Sequence, residues 1–293
     1  CKQGVWGSSP HNSINKNKSL MANKGLQFEH AVMYVATSRI IEKDRTHQSY
    51  FDDAASRWSS IPQDIKDTAE KIVTDLAPVA DPQRQQFYKS FKKMSGGGEE
   101  PKTDILFVKG GKKYKCSMKW GKSYQLTSAG VDKSIQVFTK VLKKVAADIG
   151  QGSITINALG SLQLILEQIS NKFENSTGTM DQSTAKRLMS DVKKSGGINE
   201  QLQEILGSKK APTGDVAYDA FKFELTKECM TGEMLFNGDD RAANYLFTEN
   251  GVKPITDKVV REVMEIAGVR LSLKGRGKKN GVRQNAISIR YEV

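Results

Sequence analysis

Several residue types that mark familiar chemistry are scarce in this chain. Its three cysteines, Cys1, Cys116 and Cys229, are odd in number and form no CxxC pair. That indicates neither a disulfide framework nor a zinc site of ordinary spacing, and it fits a reducing compartment. The three histidines, His11, His30 and His47, lack metal-ligand spacing. No apolar run approaches the roughly 18 residues of a membrane span, and no internal repeat is visible. Negative charge is also short: 33 Asp and Glu face 45 Lys and Arg, a net charge of +12. A basic balance of this size suits a polyanionic partner, because Lys and Arg on phosphates displace condensed counterions.

The 293 residues suffice for one large domain or two smaller ones. Residues 1–20 are polar and non-periodic and read as a disordered or non-native leader, with Met21 as the expected natural start. Helical periodicity begins at once in 25–41, where Phe28, Val32, Val35 and Ile40 fall near one face. Further helices are expected over 48–60, 64–77 and 83–94. The run TDILFV (103–108), the turn Lys109-Gly110-Gly111-Lys112 and the alternating KYKCSMK (113–119) predict a β-hairpin. A helix is expected over 131–149, and 153–208 reads as helical. The last third mixes a helix over 215–235, a strand over 243–249, a turn at Asn250-Gly251, a helix over 256–267 and strands over 268–274 and 284–292. The whole chain reads as α/β with a helical insertion near its middle.

The informative feature is the order helix, hairpin, helix with charged residues at particular places. Glu29 lies in the first turns of the first helix, Asp104 at the start of the first hairpin strand, and Ser117-Met118-Lys119 on the second. Ser117 and Lys119, two apart, are expected on one strand face. A carboxylate at a strand edge offers the hard oxygen that Mg²⁺ prefers. A bound metal lowers the pKa of its water and neutralises charge on phosphorus oxygens. A neighbouring lysine positions the nucleophile or stabilises the transition state. Asp104 and Lys119 on paired strands are therefore expected to converge on one scissile phosphate. His30, about 100° around an ideal helix from Glu29, reads as a bystander.

This arrangement resembles the PD-(D/E)XK superfamily of restriction-type nucleases and junction resolvases. KGLQFEHAV resembles the first helix of the archaeal resolvase branch, TDI matches the superfamily aspartate, and SMK stands where (D/E)-X-K is expected. The segment SMKWGKSYQLTSAG also resembles uncharacterised proteins of tailed bacteriophages. The motifs cover about residues 24–149. The resemblance implies a restriction-endonuclease-like mixed sheet core flanked by helices. It places that core in 21–150, a helical insertion in 151–212, and a C-terminal α/β part completing the core in 213–293. It implies a Mg²⁺- or Mn²⁺-dependent DNA endonuclease with Glu29, Asp104, Ser117, Lys119 and Gln125 at the site. Glu29, Asp104 and the Met118 backbone carbonyl would hold metal. Ser117 departs from the family, which places a carboxylate there. Three outcomes stay open: Glu29 supplies the missing charge, the Met118 carbonyl helps bind the metal, or the site is degenerate and only binds DNA.

Two basic clusters are expected to serve the same partner, duplex or branched DNA. Lys112, Lys113, Lys115 and Lys122 lie around the hairpin, with Trp120 and Tyr124 among them as core or base-stacking groups. Arg276, Lys278, Lys279 and Arg283 lie in a glycine-rich C-terminal loop that reads as a phosphate clamp. The last 24 residues carry a local excess of six positive charges, half of the chain's total. Glu224 and Glu228, four apart on one helix, with Glu233 beyond, read as a solvated helix face, a second metal site or an acidic partner surface. The competing functions are a phage-type endonuclease, a catalytically degenerate DNA-binding or phage structural protein, and an RNA-directed protein. The expected location is the cytoplasm of an infected host cell or a virion. No membrane partner is expected, and a dimer is admitted without a dimer signature.

Overall fold

The computed structural model describes residues 24–76, 80–84, 101–121, 123–125, 131–149, 164, 187, 214, 216–266, 268–279 and 282–292. They belong to two units, divided after residue 77.

The first unit is helical, with α1 (Lys24–Ser38), α2 (Arg45–Trp58) and α3 (Gln63–Asp75). Helix α1 is apolar around most of its circumference and packs on both neighbours. Phe28, Val32 and Val35 meet a core shared with Ala54, Ile65, Ala69 and Ile72; Ile40, expected on the same stripe, lies past the helix end. Asp44 caps α2 by accepting the His47 N–H at 2.7 Å, satisfying one of the donors a helix start leaves open. Tyr34 stacks between Phe51 and Trp58, with ring centroids 5.4 and 4.2 Å away. Lys43 and Lys66 lie over the outer rings.

The second unit is mixed α and β. Its elements are β1 (Ala80–Arg84), β2 (Ile105–Lys109), β3 (Lys112–Met118), β4 (Ser123–Gln125), α4 (Val131–Ile149), α5 (Val216–Thr231), a short α6 (Glu233–Phe236), β5 (Tyr245–Thr248), β6 (Gly251–Pro254), α7 (Asp257–Ile266), β7 (Gly268–Lys279) and β8 (Val282–Glu292). One sheet has the order β1-β2-β3-β5-β6 and another the order β4-β8-β7. The five-stranded sheet is mixed, because β3 pairs with β5 in parallel while the other neighbours are antiparallel.

The expected hairpin forms with a two-residue turn. Gly110 and Gly111 both take positive φ, 55° and 75°, the conformation that a tight hairpin asks of both central residues. Its register runs from Lys109 opposite Lys112 to Ile105 opposite Cys116. Burial changes along it. Ile105, Leu106 and Phe107 are buried on successive positions, so both faces of β2 are covered at its start. Residues 110–113 at the turn are exposed. Phe107 and Phe247 lie ring against ring at 6.1 Å across the sheet.

Helix α4 coincides with the expected 131–149, and its stripe Phe138, Val141, Leu142 and Val145 is buried. Three strands were not evident in the sequence. Residues 83–84, expected to open a helix, close β1, and the rest of that expected helix lies outside the described residues. The three-residue β4 and the short β6 behind the Asn250-Gly251 turn are the others. The expected helical insertion 153–208 lies outside the described residues except for Leu164 and Arg187. No described helix is long and apolar enough to cross a membrane.

Candidate functional site

The site forms where β2 begins and β3 ends. Asp104 stands one residue before β2, and its N–H donates to the Cys116 carbonyl at 2.8 Å, carrying the ladder one step past Ile105. Lys119 stands one residue after β3, and its N–H donates to the Phe247 carbonyl of β5 at 2.8 Å. These two backbone bonds set their side chains on adjacent strands at the same end of the sheet. Lys119 Nζ lies 3.8 Å from Asp104 Oδ2, with side chains 19% and 17% exposed. The same Oδ2 accepts the Met118 N–H at 2.6 Å. Among the expected site residues, Asp104 and Lys119 are thus brought together.

The others are placed as follows. Ser117 is fully buried on β3, and its hydroxyl has no hydrogen-bond partner among the described residues; Thr103 Oγ1, beside Asp104, is in the same condition. Glu29 is buried on α1 in the first unit, as is its neighbour His30, whose Nδ1 lies 3.6 Å from Asp53 Oδ2. Gln125 belongs to β4 opposite Arg290 of β8, and its side chain lies outside the described residues. So do Lys122, Tyr124 and the side chains of Arg276, Lys278, Lys279 and Arg283. The expected C-terminal loop is instead the closing part of a long hairpin: Arg276, Lys278 and Lys279 lie in β7 and Arg283 in β8, with a register irregularity between Arg276 and Lys279, because the two strands stay paired almost to the turn. Trp120 is half-buried.

The hairpin lysines near the turn have protein partners. Lys112 Nζ donates to the Tyr245 hydroxyl at 3.0 Å, and Lys113 Nζ lies 2.6 Å from Asp240. Lys115 Nζ donates to the Gly238 and Asp239 carbonyls, each at 3.0 Å. Asn244 completes this edge by accepting the Lys115 N–H through its side chain and donating its own N–H to the Lys115 carbonyl.

One group at the site was not singled out in the sequence. Lys102, two residues before Asp104, is only 4% exposed. Desolvation lowers its pKa to about 8, Lys119 repels its charge, and Cys229, Asp104 and Glu228 partly offset this. Its backbone N–H and that of Thr103 both donate to the Arg241 carbonyl, at 2.8 and 3.0 Å. Gly232 faces its stem: a Cβ there would come within 2.6 Å of Lys102 Cγ. A lysine placed beside a strand-entry aspartate was the available signal, but burial is not written in the pattern KTDILF.

Glu224 and Glu228 do not form the solvated face expected of them, for both are buried. Glu228 accepts the Met234 and Leu235 N–H groups at 2.7 and 2.9 Å. It thereby caps α6, whose first residue follows a glycine with no side chain to do so. Burial raises its pKa. Glu224 pairs with Lys144 at 3.1 Å. The thiols of Cys116 and Cys229 are buried and pushed up by that burial, which removes them as nucleophiles.

Mg²⁺ needs oxygen donors of negative charge. The described end of the sheet supplies the carboxylate of Asp104, already beside the Lys119 ammonium, and that of Glu249, whose Oε2 accepts the Gly121 N–H at 2.9 Å. Glu228 is committed to two N–H groups, and Ser117 is sealed. Among the described residues no group of three or more His, Cys, Asp or Glu side chains is arranged to hold a metal ion. Of the expected metal ligands, Asp104 is thus engaged by Lys119 and by the Met118 N–H, and Glu29 belongs to the first unit.

No protein-family model matches the chain, and neither a curated protein nor a solved structure does.

Proposed function

We propose that this chain is a DNA-directed protein whose second unit follows the restriction-endonuclease plan, with the Asp104–Lys119 end of the sheet as its phosphodiester site. The observation that carries the reading is the ion pair itself, an acid before one hairpin strand and a lysine after the next, 3.8 Å apart. Supporting it, β3 has a parallel neighbour, β5, and helix α5 precedes that strand in the chain. The net charge of +12 supplies the sequence-independent attraction to phosphate.

The engagement of Asp104 by Lys119 and by the Met118 N–H supports binding over metal-dependent cleavage. Lys119 would contact a phosphate oxygen, and Asp104 would hold that ammonium in place. The second reading, a Mg²⁺- or Mn²⁺-dependent endonuclease, is favoured by the same juxtaposition of acid and lysine. Incubation of the purified protein with duplex and branched DNA, with and without Mn²⁺, separates the two. Salt-sensitive binding without strand scission is the expected result. Scission abolished by Asp104→Ala and by Lys119→Ala establishes the second reading. Absence of DNA binding at low salt removes both.

A further inference from the structure

We propose that Tyr114 and Tyr245 form a stacking platform for unpaired bases of single-stranded DNA, with Lys112 beside them to meet the adjoining phosphate. The inference rests on the DNA-directed reading for the identity of the partner. It adds a separate contact, because the platform lies toward the turn of the β2–β3 hairpin and the Asp104–Lys119 pair at its other end.

Strand register places the two tyrosines. Side chains two apart share a strand face, so Lys112 and Tyr114 of β3 stand on the side of Cys116. β3 and β5 pair in parallel with Cys116 beside Tyr245, which brings Tyr245 to that side as well. Lys109 of β2 lies opposite Lys112, and Pro254 of β6 lies opposite Tyr245, so these five residues make one corner of the sheet face. The paired residues of β2, β3, β5 and β6 include no Asp or Glu. Toward the middle of the sheet the same face is sealed, with Phe107, Cys116 and Phe247 buried. At the corner Tyr114 and Tyr245 are half-buried and Lys112 is exposed.

The two rings lean on each other, with centroids 4.7 Å apart and planes 38° from parallel. Lys112 Nζ stands 5.2 and 5.5 Å from the two centroids and donates to the Tyr245 hydroxyl at 3.0 Å. The mutual contact and the lysine hold both rings in place, so little side-chain freedom is left to lose on binding. An aromatic surface with an ammonium at its edge and no carboxylate on its strands is complementary to a flat π-system joined to an anion, which is what a nucleotide presents. Paired bases keep their faces inside the duplex stack, so only unpaired ones reach such a platform. Stacking of this kind accepts any base, because each has a π-face. The charge of +12 adds the attraction to the backbone.

The test uses the full chain and a short thymidine oligomer in which some bases are 5-iodouracil. Irradiation of the bound wild-type protein, followed by peptide mass spectrometry, should place the cross-link on Tyr114 or Tyr245. Tyr114→Leu should weaken oligomer binding about ten-fold, whereas Tyr114→Phe, which keeps the ring, should stay within about three-fold of wild type. Bound oligomer that cross-links only at other residues overturns the inference, and this readout needs no variant to fold. Undiminished binding by folded Tyr114→Leu overturns it too. Tighter binding of a uridine ribo-oligomer than of the thymidine oligomer overturns the assignment to DNA. A duplex probe separates this proposal from the phosphodiester site. Duplex binding without oligomer binding sinks the inference and leaves the DNA reading. Oligomer cross-linked at the platform, with duplex and branched DNA unbound, sinks the phosphodiester site and leaves the inference.

Discussion

The two ends of the β2–β3 hairpin carry lysines and treat them oppositely. At the turn, Lys112, Lys113 and Lys115 lie at or near the surface and hold tyrosine, aspartate and carbonyl partners. At the other end, Lys119 lies 3.8 Å from Asp104 with both side chains mostly buried, and Lys102, two residues before that acid, is almost wholly buried. Water screens the first set and little of the second, so equal charges carry unequal energies. Nearness in sequence made Lys112, Lys113 and Lys115 look like one basic patch around the hairpin, while Lys102 did not stand out. The lesson is that position along a strand, through burial, decides which of them has chemistry.

The sharpest way to break the comparison is Asp104→Ala. It leaves the ammonium groups of Lys119 and Lys102 with less negative charge, and the Met118 N–H without its acceptor. Removing one member of a buried pair costs about 3–5 kcal/mol, and the partial exposure here places the expectation near the lower bound. Urea unfolding of wild type and variant measures it. A loss under about 1 kcal/mol would mean that this end behaves like the surface.

Lys102 gives the comparison a pH dependence. Its pKa falls from 10.5 to about 8 in the fold. The unfolded chain therefore binds the extra proton more tightly. Below pH 8 the folded protein bears the full cost of the buried charge. As pH rises from about 8 to 10.5 that cost is relieved, so this group makes stability rise over that window. The shift corresponds to about 3 kcal/mol. The stability of wild type minus that of Lys102→Met, followed by chemical denaturation across the window, should climb by an amount of this order. A flat difference would show that Lys102 is not desolvated as described.

Much of this arrangement was legible in the sequence, and the exceptions have physical reasons. The hairpin, α4 and the helices of the first unit follow from hydrophobic period and from two glycines at a turn. Asp104 and Lys119 were found because strand register follows from that turn. What the sequence hid were effects of long-range packing. β1 contains Pro82 and Asp81 with positive φ, poor strand residues that pair only because β2 offers an edge. β6 has four residues and exists as the return of the β5 hairpin. The burial of Lys102 and Glu228 comes from α6 and Gly232 folding over them, a tertiary event with no local periodicity.

Ser117 offers a smaller effect of either sign. Its hydroxyl is sealed without a partner among the described residues, so Ser117→Ala should be neutral or stabilise by about 1 kcal/mol. Ser117→Asp, which restores the acid of the resembled motif, must bury a carboxylate at that position and should instead destabilise by several kcal/mol, on the order of a buried unpaired charge. Thermal melts of the two variants check this. A stable Ser117→Asp protein that gains Mn²⁺-dependent cleavage would identify the site as a nuclease that lost its second acid.

The smallest expected change belongs to the turn. Lys113 reaches Asp240 at 2.6 Å, yet the side chains are 55% and 39% exposed. Exposed pairs give about 0–1 kcal/mol, because water screens both charges and ordering two side chains offsets the attraction. Lys113→Ala should therefore leave the unfolding midpoint almost unchanged. If Lys113 also meets DNA, it must give up Asp240 to do so, and binding should weaken uniformly across sequences, with the salt slope falling by about one. Measured beside Asp104→Ala, this variant sets the scale of the comparison. A Lys113→Ala loss as large as that of Asp104→Ala would erase the distinction between the two ends, because burial would then have ceased to separate them.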